Sequence, residues 1–174
     1  MDTSSAHRRS TRDRDDLAGE HALTDAGQLV LAILFAAAWV ADSFWLEYTT
    51  FLNAYVPQWI RLPPGFALII VSAYLARTGL SIVFGEEREE PCVIRNSVFG
   101  VVRHPVYLSE MLLYAGLLLI SMSLAAGAVL LAAIVFLHRV SRHEERLLLS
   151  RFGEEYERYM RDVPMWLPRL RRRT

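Results

Sequence analysis

Lysine is missing from this chain of 174 residues, so all 19 of its basic residues are arginine, a bias that fits a GC-rich bacterial genome. Cysteine is reduced to Cys92, which excludes an internal disulfide; no neighbouring motif activates its thiol, so it reads as a tolerated thiol and not a nucleophile. No phosphate-cradling glycine loop and no nucleophile elbow occurs. A metal site finds little support, since His138 and His143 lie on different helical faces and no cysteine joins them. Excess charge of one sign is also absent: the formal net charge is zero, and the arginines interleave with glutamate, which argues against a nucleic-acid partner. There is no internal repeat.

What the chain does have is apolar residues, 53% of the total, too many for a typical soluble domain of this length. The reading is a single all-α integral membrane domain. Residues 1–27, with arginine set against aspartate and glutamate, are expected to form a disordered cytosolic amino terminus. The membrane domain then runs over residues 28–174. Leu29 to Leu46 suits a first retained span, with Asp42 placed at the interface. Trp45, Tyr48, Tyr55 and Trp59 form the aromatic girdle expected at the far surface. A second span is predicted from about Gly65 to Phe84, with Pro63-Pro64 at its start. A polar loop, Glu86 to Pro91, leads to a helix begun at Pro105, a turn near Ser121-Met122-Ser123, and a return arm from Leu124 to His138, short for a full crossing. The return arm continues beyond the membrane as a helix to residue 151, Gly153 interrupts it, and a last amphipathic stretch from Glu154 ends at Pro164. Ten of the arginines lie between Arg139 and Arg173. Their density places both termini in the cytoplasm after four crossings, at a bacterial inner membrane.

That topology brings two polar clusters to one membrane face: Arg103-His104-Pro105-Val106-Tyr107 before the hairpin and His138 to Glu145 after it. On a helix begun at Pro105, Tyr107, Glu110 and Tyr114 share one face, with His104 at its head. Glu110 lies roughly 9 Å along that helix, inside the apolar slab, where an acid needs a partner; Arg77 and Arg103 are the nearby candidates. At the end of the return arm His138, Arg142 and Glu145 share a face, while Glu144 points elsewhere. Composition alone would leave Glu144-Glu145 as a solvated helix surface, and Phe152, Tyr156 and Tyr159 as a packing stripe. Spacing therefore gives a polar pocket at a membrane surface and leaves its ligand open.

The run Arg103-His104-Pro105-Val106-Tyr107-Leu108, an apolar hairpin, Glu144-Glu145-Arg146-Leu147-Leu148, Phe152-Gly153-Glu154-Glu155-Tyr156-Glu157-Arg158-Tyr159 and Val163-Pro164 resembles the isoprenylcysteine carboxyl methyltransferase family. That family shares this pattern with the phospholipid N-methyltransferases. The resemblance covers residues 94–170, the catalytic part of the domain. It implies transfer of a methyl group from S-adenosylmethionine to a lipophilic acceptor at the cytosolic membrane face, with the bilayer as partner. By position it makes Arg103, His104, Tyr107, Leu108, Glu144 and Glu145 cofactor-site residues. In the same frame His104, Glu110 and Arg142 are the catalytic candidates, and Tyr114 and Arg77 the candidates for the acceptor. Where the family has a Gly-Pro-Tyr-like turn, this chain has Ser97-Val98-Phe99-Gly100. A carboxylate acceptor needs no base, whereas a lipidic phenol, quinone or phospholipid amine would call on His104 or Glu110. A non-enzymatic membrane protein is the alternative of another class.

Overall fold

The computed structural model describes residues 22–85 and 92–168. The expected disordered terminus before residue 22, the loop Glu86 to Pro91 and the last arginines lie outside the described residues. Among the described residues five α-helices follow one another: α1 (Ala22–Ala41), α2 (Gln58–Gly85), α3 (Pro105–Ser121), α4 (Leu124–Phe152) and α5 (Glu154–Asp162). The segments Ala26–Leu46, Gln58–Gly85 and Leu124–Phe152 are each long and apolar enough to cross a bilayer, and α3 is a shorter apolar helix. Leu29, Ile33, Ile70 and Leu131 are all exposed on their outer faces, a surface suited to lipid and not to water. With its 17 residues α3 reaches only about 26 Å, less than the ~30 Å of a hydrocarbon core. By contrast, the 29 residues of α4 reach about 44 Å, so its last turns project beyond the apolar layer and carry Glu144 and Glu145 with them.

A seam of small residues locks α2 to α3. Gly65, Ser72 and Gly79, spaced by heptads, are buried on α2 where it packs on α3. A Cβ on Gly116 would stand 2.8 Å from the Gly65 carbonyl oxygen, and one on Gly79 would stand 2.9 Å from Val106 Cγ2. Ser72 Oγ donates to the Ser109 carbonyl at 2.6 Å between these two points. Close backbone approach through small residues is how helices associate where lipid removes the hydrophobic drive. On the opposite side of α3, Tyr114 and Phe35 of α1 pack with Ala126, Leu130 and Ala133 of α4 to form the central core.

The second helix starts earlier than the sequence suggests. Pro63 and Pro64 sit inside α2, not at its head. The extra turn before them is held by Arg61, buried here, whose Nη1 donates to the Ile120 carbonyl at the end of α3. Asp42 is likewise buried, 3% exposed, at the end of the bundle where the interface was expected. It accepts from the Thr49 amide at 3.0 Å, from Thr49 Oγ1 and from Ser123 Oγ. Ser123 also caps α4 by accepting from the Ala126 amide at 3.2 Å. An acid at a helix amino terminus meets the positive end of the helix dipole, which is why this carboxylate is accommodated. Trp45, Tyr48, Tyr55 and Trp59 are exposed at the same end, as an interfacial girdle requires.

Candidate functional site

At the other end of the bundle the chain enters α3 through a short 3-10 turn, Ser97–Gly100. The sequence departs here from the Gly-Pro-Tyr pattern, yet the turn is tightly fixed. A Cβ on Gly100 would meet the Arg95 carbonyl oxygen at 2.9 Å, and the Phe99 carbonyl accepts from Tyr159 Oη at 2.7 Å. Pro105 occupies the first turn of α3, where the missing amide hydrogen costs nothing, and the Leu108 amide closes that turn on the His104 carbonyl at 3.0 Å. Leu108 itself is half-buried.

Arg103 is the hub of this end. Its Nε and Nη2 hold Glu145 Oε1 at 2.8 and 2.7 Å, while Nη1 donates to the carbonyls of Met160 at 2.9 Å and Val163 at 2.6 Å. The backbone joins in, with the Arg103 amide on the Pro164 carbonyl at 2.9 Å and the His104 amide on that of Met165 at 3.3 Å. A strap of chain after α5 is thereby laid across the head of α3. Trp166 of that strap packs edge-on against His138 of α4, ring centroids 5.4 Å apart. Glu145 is 2% exposed, so the Arg103 pair is an interior one, and such a pair is tolerated only with near-complete hydrogen bonding. Glu145 Oε2 is buried and finds no hydrogen-bond partner among the described residues.

The His104 ring lies between the two glutamates, Nε2 3.4 Å from Glu145 Oε1 and Nδ1 3.6 Å from Glu144 Oε2. It also stacks parallel to Tyr107, whose hydroxyl donates to Glu144 Oε1. This corrects two readings from spacing: Glu144 does not point elsewhere, and the glutamate pair is not a solvated surface. Adjacent helix positions differ by about 100°, but an imidazole reaching in from the next helix is broad enough to touch both carboxylates. Phe152, Tyr156 and Tyr159 do form a packing surface, with Tyr156, Tyr159 and Val163 buried against Val93, Leu148 and Leu149. Burial pushes both phenols well above the usual tyrosine range, so they stay neutral.

Other candidates lie apart from this cluster. Arg142 and His138 are exposed on α4. Arg77 is exposed as well: two residues before Gly79, it is turned about 200° from the seam and so away from α3. Neither Arg77 nor Arg103 meets Glu110, which instead accepts from Tyr114 Oη at 2.7 Å. The strap contacts of Arg103 were not foreseen; Val163-Pro164 in the motif was their one trace. Among the described residues no three His, Cys, Asp or Glu side chains gather as metal ligands. An open polar groove of about 600 Å³ beside α5, lined by Arg95, Glu155, Arg158, Arg161 and Asp162, is separate from the His104 cluster.

The fold and the cluster together define an all-helical integral membrane protein with an Arg–His–Tyr–Glu site at one end of its bundle. Comparison with known proteins refines that: the profile of the phospholipid methyltransferase family matches residues 65–155, more than half of the chain, from the Gly65 seam through the glutamate pair into α5. The chain belongs to this family. Among curated proteins, it is similar to the cobalt-zinc-cadmium resistance protein CzcN of Cupriavidus metallidurans, 34% identical over 84 residues that cover 48% of this chain and 38% of that protein. It is also similar to methanethiol S-methyltransferase 2 of Bradyrhizobium diazoefficiens, 41% identical over 86 residues that cover 44% of this chain and 30% of that protein. The chain spans well under half the length of either relative.

Proposed function

We propose that this protein is an S-adenosylmethionine-dependent membrane methyltransferase that modifies a lipophilic acceptor at the cytosolic face of the membrane. The observation that carries the reading is the convergence of Arg103, His104 and Tyr107 on Glu144 and Glu145, with Glu145 Oε2 buried and without a partner among the described residues. A buried acceptor without a donor is costly, and a hydrogen-bond donor on a bound ligand satisfies it. The acceptor set suits a cation carrying an ammonium group and ribose hydroxyls, since the two carboxylates accept hydrogen bonds. S-adenosylmethionine supplies a methyl group on a sulfonium, open to in-line displacement.

The protein's own part is alignment and exclusion of water. Methyl displacement needs little covalent help, so its barrier falls chiefly through fixed geometry in a dry site. Arg103 fixes Glu145, and through its backbone and side chain it also fixes the strap that covers the site. Tyr107 fixes Glu144, and His104 spans both carboxylates. Acceptors of three kinds fit the reading: the carboxylate of the isoprenylcysteine type, a lipid amine as in phospholipid methylation, and a thiol, as named for the Bradyrhizobium relative. The test is transfer of radiolabel from methyl-labelled S-adenosylmethionine to a lipid extract by the purified protein. Label in the organic phase is the expected result; none, with the protein folded and cofactor bound, would return the chain to the non-enzymatic alternative.

A further inference from the structure

The face of α3 that carries Tyr107 continues one turn deeper to Glu110 and a further turn to Tyr114. Glu110 is half-buried within the span, and its hydrogen bond comes from Tyr114 Oη at 2.7 Å. Among the described residues no guanidinium or imidazole pairs with it. Below, the Tyr114 ring lies flat on Phe35 of α1, centroids 4.1 Å apart and planes 11° from parallel, and both rings are buried. Phe35 belongs to α1, outside the family match over residues 65–155, so this floor is a feature of the chain's own first helix. An acid without a cation at membrane depth is expensive and marks a site by default.

The charges at this end decide what the site admits. Glu144 and Glu145 of α4 converge on His104, and Glu110 lies one turn below Tyr107 on α3. Arg103 is already spent on Glu145 and the two strap carbonyls, and the His104 ring is held between Glu144 and Glu145. A carboxylate acceptor seated by Glu110 would place like charges together in a low-dielectric space with no cation between them, which is unfavourable. A nucleophile that still holds its proton does the opposite, donating a hydrogen bond to the Glu110 carboxylate.

We propose that Glu110 and Tyr114, floored by Phe35, form the acceptor subsite, that this subsite takes an apolar molecule bearing an uncharged X–H nucleophile such as a phenol or thiol and rejects carboxylates, and that Glu110 is the catalytic base. The proposal rests on the methyl-transfer reading. In the step, the acceptor's lone pair forms the X–CH3 bond as the methyl carbon–sulfur bond breaks and its electron pair returns to sulfur. The acceptor's proton passes to the Glu110 carboxylate, leaving S-adenosylhomocysteine and the methylated acceptor.

The test uses the full chain in lipid nanodiscs with para-dodecylphenol, dodecanethiol and dodecanoate as chain-matched probes. Calorimetry should show the phenol and thiol binding at least about tenfold more tightly than dodecanoate. Glu110→Gln should bind S-adenosylhomocysteine as the parent does while methylating phenol and thiol about 100-fold more slowly. Preference for dodecanoate, or unchanged rates in Glu110→Gln, overturns the subsite while leaving the methyltransferase reading intact. Absence of S-adenosylhomocysteine binding by the parent protein overturns that reading, and the subsite with it. Should Glu110→Gln fail to fold, the probe affinities of the parent protein decide alone.

Discussion

Arg103 bonds one carboxylate and two carbonyls through its side chain, and its amide holds a third carbonyl. Replacing it with methionine keeps the length but strips Glu145, which is 2% exposed, of its guanidinium and leaves only the His104 ring beside this buried charge. The expected cost is about 3–5 kcal/mol, read as a large fall in the melting temperature of the purified protein. Exposed Arg142→Met should leave that temperature unchanged, since Arg142 lies outside the cluster. Much of this site was legible as residue types: Arg103-His104 and Glu144-Glu145 carry the motif, and folding joins them. Their mutual geometry was not legible. Helical spacing tells which side chains share a face of one helix, but not how far a ring from another helix reaches across two faces, as His104 does. The same limit made Arg77 a partner for Glu110, because depth in the membrane can be counted from sequence and rotation against a neighbouring helix cannot.

Helix ends that depend on local chemistry were readable in advance: Pro105 opens α3, Met122 with φ 55° and Ser123 make the hairpin turn, and Gly153 with φ 53° separates α4 from α5. The start of α2 was not, because the bond holding its first turn runs from Arg61 to Ile120, far along the chain. The small-residue seam also carries a sequence trace, the heptad spacing of Gly65, Ser72 and Gly79, but a partner helix is needed to give it meaning. Gly116→Leu should separate α2 from α3 and cost at least about 1–3 kcal/mol of stability in detergent. Gly127→Ala is the control, because its Cβ would meet Leu118 Cδ1 at an ordinary 3.5 Å. The docking of α5 has its own sensitivity. Burial raises the Tyr156 and Tyr159 phenols, so their contribution is complete below the unfolded value of about 10 and is lost as pH rises through the higher folded values. Tryptophan fluorescence, which includes Trp166 in the strap, should hold steady through neutral pH and change only in strong alkali.

For the whole molecule, the fold makes a bundle whose two ends differ in chemistry: a capped, aromatic-ringed end around Asp42, Ser123 and Arg61, and a reactive end around His104. We propose that the reactive end faces the cytoplasm, on the strength of the arginine density beside it. Reporters fused before Met1 and after Thr174 should both read as cytoplasmic, and one inserted between Asn53 and Pro57 should read as the opposite side. Termini on different sides would remove the common face on which His104 and Glu145 meet. The central claim, that this face handles S-adenosylmethionine, is tested most directly by titrating purified protein with S-adenosylhomocysteine in a calorimeter, alongside Glu145→Gln and exposed Glu157→Gln. The account predicts micromolar or tighter binding by the parent protein, a loss of about 1.5–3 kcal/mol for Glu145→Gln, as for a hydrogen bond to a charged group, and no change for Glu157→Gln. Absence of binding by the parent protein, or equal affinity in all three, would contradict it.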